Sequence, residues 1–184
     1  MLMPETALKI KLLGDPALRK KCVSVKKVTD RHREILKEMA QLMYAHSGIG
    51  LASPQVGIHE AMIVADAGSG LYKLINPRIV KKEGMQALEE GCLSIPQVCI
   101  KVKRAKSITL KALDEWGKEI SLEAQDLLAC VLQHEIDHLK ARLIVDYASF
   151  FERLKIKNKL QELKRKVKDE GLSQPETKSC KLQL

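Results

Sequence analysis

The chain has 184 residues, 45% of them apolar, 30% charged and only 3% aromatic, with a net charge of +9. That length suits one domain whose core needs no disulfide staples, and no apolar run approaches the ~20 residues that span a bilayer. With so few aromatic side chains, a base-stacking platform for single strands is not expected, whereas phosphate contact through Lys and Arg is. Met1 to Glu5 lacks the charged start and apolar stretch of a secretion signal. The cysteines, Cys22, Cys92, Cys99, Cys130 and Cys180, form neither a CxxC pair nor a secreted disulfide framework. A reducing cytoplasm is the expected setting.

Asp30 is an N-cap candidate, and Ile35, Met39, Leu42 and Met43 recur at helical spacing until Gly48, which predicts a helix over 30–46. The stretch from Gly48 to Gly57 is too rich in Gly and Pro for a helix and reads as a loop. Ala61 to Val64 and Tyr72 to Ile75 read as short strands, the second stopped by Asn76-Pro77. Further strands are expected from Val98 to Val102 and from Ser107 to Leu113, where Ile108, Leu110 and Ala112 share one face. A turn at Asp114 to Gly117 returns the chain through Glu119 to Leu122. A second helix is predicted over 124–140, with Leu128, Leu132, Ile136 and Leu139 toward the core. A third is predicted over 147–169, with Phe150, Phe151, Leu154, Leu160, Leu163 and Val167 as its apolar set. The fold class is α+β: antiparallel strands packed around a central helix, with N-terminal and C-terminal helices. Residues 1–170 are read as one domain and 171–184 as a mobile tail.

The second helix carries His134-Glu135-Ile136-Asp137-His138, an HExxH motif. Residues four apart on a helix lie one turn above each other, so both imidazoles can reach one metal ion. The glutamate beside the first can then handle the protons of a water that the metal activates. A catalytic site of this kind needs a third protein ligand. Glu152 and Glu162 sit in or beside the basic third helix, and Lys140 to Asp146 contains no His, so neither common zincin continuation is met. Cysteine remains. Cys130 is eight residues before His138, ~12 Å along a helix, too far to share a tetrahedral ion, and reads as a small wall residue. Cys92 has better surroundings, Glu90-Gly91-Cys92-Leu93-Ser94-Ile95-Pro96, where Gly91 permits close backbone approach and Pro96 stiffens the exit.

Three segments, Gly48-Ile49-Gly50-Leu51-Ala52-Ser53-Pro54-Gln55, Glu90-Gly91-Cys92-Leu93-Ser94 and Gln133-His134-Glu135-Ile136-Asp137-His138, resemble in order the signature motifs of peptide deformylases. Asp15-Pro16-Ala17-Leu18-Arg19, Ile75-Asn76-Pro77 and Val102-Lys103-Arg104 add smaller similarities, and the resemblance runs from about 10 to 165. It implies removal of the formyl group from formyl-methionyl nascent polypeptides, with release of formate. It also implies one divalent metal ion, iron(II) foremost and zinc, nickel or cobalt as alternatives, on Cys92, His134 and His138. Glu135 is then the proton carrier, and the Gln55 amide and the Leu93 N–H are the oxyanion donors. Ile49, Leu127, Cys130 and Val131 match the methionine pocket of the family, and Gly50 and Gly91 the backbone that meets the peptide. This chain departs from the pattern at Ser53 (usually Ala), Lys140-Ala141 (commonly Asn-Gly), Ile144 (usually Phe) and Gln97 (often Gly). Cys99 stands where some bacterial relatives place an Arg that contacts the substrate backbone.

Between Arg153 and Lys168 the chain concentrates Lys155, Lys157, Lys159, Lys164, Arg165 and Lys166. Such a block suits a polyanion, and in some bacterial deformylases a basic C-terminal helix docks on the ribosome. The alternative reading is a ribosome- or RNA-binding protein with a structural or degenerate metal site. No membrane partner is expected.

Overall fold

The computed structural model describes residues 8–169, and the tail expected over 171–184 lies outside them. In chain order the elements are α1 (Asp30–Ala45), β1 (Gly50–Ala52), β2 (Met62–Ala65), β3 (Tyr72–Glu83), β4 (Gln86–Cys92), β5 (Ile95–Arg104), β6 (Ser107–Leu113), β7 (Glu119–Gln125), α2 (Asp126–Leu139) and α3 (Phe150–Asp169). Single 3₁₀ turns occupy Pro16–Arg19, Ser53–Val56 and Ile144–Tyr147. Among the described residues β1-β2-β3-β6-β7 form an antiparallel sheet in that order, and β4-β5 a separate hairpin.

The period-two alternation of strands decides where the layers meet. Along β2, Met62 and Val64 enter one apolar cluster, shared with Leu36, Met39 and Met43 of α1 and Ile95, Val98 and Ile100 of β5. Ile63 and Ala65 enter the other, shared with Ile108, Leu110 and Ala112 of β6 and with α2. The sheet is thus covered on both faces at β2, which is why Met62–Ala65 is apolar without interruption. From Ala129 to Leu139 every residue of α2 except Asp137 is buried. A helix enclosed on all sides must carry any polar side chain into a partnered environment.

The structure corrects several expectations. The Gly/Pro-rich stretch after α1 is a three-residue strand followed by a 3₁₀ turn. Asn76-Pro77 does not stop β3: the β3–β6 register slips between Ile75 and Arg78, so the proline, which has no N–H, sits where no ladder donor is needed. Asn76 takes a φ of 53° there, and its side chain exchanges hydrogen bonds with the N–H and C=O of Val25. β4 was not foreseen as a strand, β7 continues to Gln125 where helix was expected, and α3 starts at Phe150 rather than 147. That start is a capping box: Ser149 Oγ receives the Glu152 N–H while Glu152 Oε2 receives the Ser149 N–H. Of the apolar set expected for α3, Phe150, Phe151 and Leu154 are 76%, 74% and 63% exposed. Docking falls to Ile156, Leu160, Leu163 and Val167, which recur at helical spacing on the opposite side.

Candidate metal centre

His134 and His138 stack one turn apart on α2, their ring centroids 4.8 Å apart in an edge-to-face arrangement. Gln133 fixes the rotation of the helix beneath them. Its amide donates to the Ala105 and Ala129 carbonyls and accepts the Ala105 N–H, bolting α2 to the β5–β6 connection. Cys92 arrives from the other sheet. It ends β4 opposite Ile95, with Leu93-Ser94 as the two-residue turn between them.

Cys92 Sγ lies 3.4 Å from His138 Nε2, which lies 3.1 Å from His134 Nε2. All three ligand atoms fall within 4.8 Å of one another, and all three residues are buried. Tetrahedral ligands at ~2.1 Å (nitrogen) and ~2.3 Å (sulfur) stand roughly 3.4 Å (N to N) and 3.6 Å (S to N) apart. The two spacings that end on His138 Nε2 agree with these within a few tenths of an ångström, and the third lies within 4.8 Å, so the three residues can close on a single first-row divalent ion. The donor chemistry agrees too: one thiol and two imidazoles suit such a metal.

Glu90, Arg104 and Asp137 lie behind the ligands. Arg104 donates from Nε (2.7 Å) and Nη2 (2.9 Å) to the two oxygens of Glu90, and from Nη1 (2.5 Å) to Asp137 Oδ2. Glu90 Oε2 is 3.0 Å from His134 Nδ1. A carboxylate can only accept, so Nδ1 carries the proton and Nε2 points its lone pair toward Cys92 and His138. Burial alone would raise the Glu90 carboxyl, but Arg104 and His134 hold it at about 2. Burial keeps His138 well below its ordinary value, with the Arg104 charge acting the same way; it is therefore neutral, as a ligand must be. Burial raises the Cys92 thiol, the Ser94 and Ile95 N–H groups oppose the rise, and the Glu135 and Glu90 charges add to it.

Glu135 sits beside the triad, fully buried, with neither carboxyl oxygen hydrogen-bonded among the described residues. Burial, reinforced by the Glu90 charge, pushes it well above the ordinary carboxylate range. Gly50 makes room for it. A Cβ at Gly50 would collide with Glu135 Oε1 and approach Val131 Cγ1 to 3.0 Å. Gln55 is buried in the 3₁₀ turn after β1, its Oε1 accepting the Ala52 N–H and its Nε2 directed at Ser94 Oγ (3.2 Å) and Cys92 Sγ (3.6 Å). Leu93 is buried at the tip of the β4–β5 turn, and Gly91 at a register slip of β4. Ile49, Leu127, Cys130 and Val131 gather in one apolar cluster, which Leu88 of β4 joins. Cys130 is more than wall: its Sγ is 3.1 Å from Glu90 Oε1.

Sequence reasoning passed over Glu90, Arg104, Asp137 and Ser94 as individual residues. Glu90, Asp137 and Ser94 stand inside the signature segments and Arg104 inside a smaller match, so the text held them. Only the folded chain joins Glu90, Arg104 and Asp137 in one ionic cluster behind His134 and sets Ser94 against the Gln55 amide.

The polypeptide deformylase family model matches residues 7–154. A peptide deformylase of Thermoanaerobacter pseudethanolicus is 48% identical over 142 residues, 77% of this chain and 89% of that one. The crystal structure of a peptide deformylase from Legionella pneumophila superposes with a TM-score of 0.81 at 37% identity, covering 88% of this chain and 98% of its own. One from Synechococcus elongatus, solved in complex with actinonin, gives 0.78 at 35% identity over 93% and 91% of the two chains. No comparison supports a purely RNA-binding alternative, and the geometry of a metallohydrolase stands in the frame of a known enzyme: the chain belongs to the polypeptide deformylase family.

Proposed function

We propose that Cys92, His134 and His138 hold one divalent ion, iron(II) foremost, and that Glu135 carries the proton in the hydrolysis that defines the family, removal of the formyl group from formyl-methionyl peptides. The observation that carries this is the convergence of three buried ligand atoms beside a buried carboxylate with no other partner among the described residues. When bound, the ion supplies a Lewis acid that polarises the formyl carbonyl and makes water a better nucleophile near neutral pH. Glu135 takes a proton from the attacking water and returns it to the amine nitrogen as the formyl carbon–nitrogen bond breaks. A carboxyl raised by burial holds a proton more readily than a free one, which suits its return to the amine, and such transfer is typically worth ~10²–10⁴-fold.

Gln55 Nε2 and the Leu93 N–H donate to the oxygen that gains charge on the formyl carbon. The anchoring of Gln55 Oε1 by the Ala52 N–H fixes which end of the amide faces the centre. Ile49, Leu127, Cys130 and Val131 receive the unbranched methionine side chain, with Leu88 as an additional wall. β1 is the edge strand of its sheet. Gly50 and, across the site, Gly91 offer backbone groups to a peptide lying extended along that edge.

The partner beyond the nascent peptide is the ribosome, read from α3. Lys155, Lys157, Lys159, Lys164, Arg165 and Lys168 are exposed on a helix whose inner side is docked along its length. Ribosome binding through phosphates weakens steeply with salt, as counterion release demands. Co-sedimentation that ignores salt overturns that part. No helix among the described residues is long and apolar enough to cross a membrane, and the cytoplasm is the setting this reading assigns.

The test of activity is formate release from a formyl-Met peptide after anaerobic iron loading, with the acetyl-Met peptide as control. Release from the formyl substrate alone supports the reading; no release with metal bound overturns it. The iron form should lose activity in air while nickel or cobalt forms keep it, because a thiolate beside redox-active iron is exposed to oxidation.

A further inference from the structure

We infer that Tyr147 is a positioning residue for the metal centre, acting through the hydrogen-bonded chain Tyr147–Asp137–Arg104–Glu90–His134; the inference rests on the ligand assignment above. The Tyr147 hydroxyl donates to Asp137 Oδ2 at 2.6 Å, the same oxygen that receives Arg104 Nη1 at 2.5 Å. The Arg104 guanidinium then forks onto Glu90 at 2.7 and 2.9 Å, and Glu90 meets His134 Nδ1 at 3.0 Å. A planar guanidinium with its donors shared between two carboxylates fixes their mutual orientation, because it cannot swing toward one without leaving the other.

Asp137 is the vulnerable link. It is the only residue between Ala129 and Leu139 that is not buried, so water competes for its oxygens. The Tyr147 hydroxyl holds Oδ2 against that competition, and the ring covers the Arg104 guanidinium, whose carbon lies 5.0 Å from the ring centre. The segment that carries Tyr147 is itself pinned. Arg19 grips Asp146 with two hydrogen bonds of 2.6 and 2.9 Å and donates to the Ala141 carbonyl. The turn after α2 therefore works as an outer clamp whose inner end orients a ligand imidazole.

The experiment is cobalt(II) titration of the full chain and of Tyr147→Phe, reading affinity by chelator competition and the visible and near-ultraviolet spectrum of the cobalt form. The matched control is Tyr44→Phe, which deletes an equally short bond, Tyr44 to Asp66 at 2.6 Å, that touches none of the five residues. Loss of an outer partner of a ligand histidine typically costs ~10–100-fold in metal affinity; for this remote end we expect about tenfold, with shifted cobalt bands. The control should change neither readout. Wild-type affinity and spectrum in Tyr147→Phe overturn the inference, and so does an equal loss in the Tyr44→Phe control, which signals general destabilisation. A wild-type chain with no thiolate-to-cobalt absorption refutes the metal centre itself, and the inference with it.

Discussion

Glu90→Gln tests the buried ionic cluster by an almost isosteric change. The amide can still accept from Arg104 at one end, but its NH₂ end meets another donor, either Arg104 or the His134 Nδ1 proton. Arg104, almost wholly buried, is left facing Asp137 as its single carboxylate. The cost follows from the wild-type carboxyl. The distance between an ordinary 4.5 and about 2, at ~1.36 kcal/mol per pH unit, amounts to about 3 kcal/mol. That matches the ~3–5 kcal/mol typical of breaking a buried pair by removing one partner. The sign is definite. A depressed carboxyl contributes its stability above its unfolded value of 4.5 and loses it as pH falls toward 2. Urea unfolding of both metal-free chains from neutral pH down through this window measures it, chelation keeping ion release out of the equilibrium. The gap between wild type and variant should be about 3 kcal/mol at neutral pH and close as pH falls toward 2. A gap below about 1 kcal/mol, or one that does not change with pH, refutes the reasoning.

Gly50→Ala should fold but push the Glu135 carboxyl aside, since the new Cβ meets Oε1 and Cδ of that residue. Turnover should drop by about two orders of magnitude with metal retained, a loss within the range of proton transfer. Ala141→Gly should stabilise the protein by about 1 kcal/mol. Ala141 holds a φ of 60° in a Schellman turn, in which its N–H bonds the His138 carbonyl and that of Arg142 the Asp137 carbonyl; thermal unfolding measures the change. Cys92→Ala should lose metal at neutral pH while Cys130→Ala keeps it, as metal analysis of the two purified chains will show; equal retention contradicts the ligand set.

What the chain discloses before folding is what lies close together in it. The HExxH pair, its enclosing helix and the Cys92 segment are local, and each carries its chemistry in a few consecutive residues. Glu90 looks like one more acid after Glu89 and Arg104 like one more base among Lys101, Lys103 and Lys106. Their meaning comes from the β4–β5 hairpin, whose register brings Glu90 against α2. The same limit explains α3. Phe150 and Phe151 are the largest apolar residues of that helix, yet the Ser149–Glu152 cap sets a phase that turns them outward. Asn76-Pro77 is a stop signal by propensity, and β3 runs through it because a register slip removes the need for the missing donor.

The most direct measurement is Glu135→Gln, assayed for bound metal and for formate release from a formyl-Met peptide on the same sample. Glu135 is buried among the ligands and bonds to none of them, so its amide should leave the metal content at wild-type level. It cannot take a proton from water, so turnover should fall by ~10²-fold or more. A variant that keeps its metal and retains more than about a tenth of wild-type turnover would show that another group moves the proton.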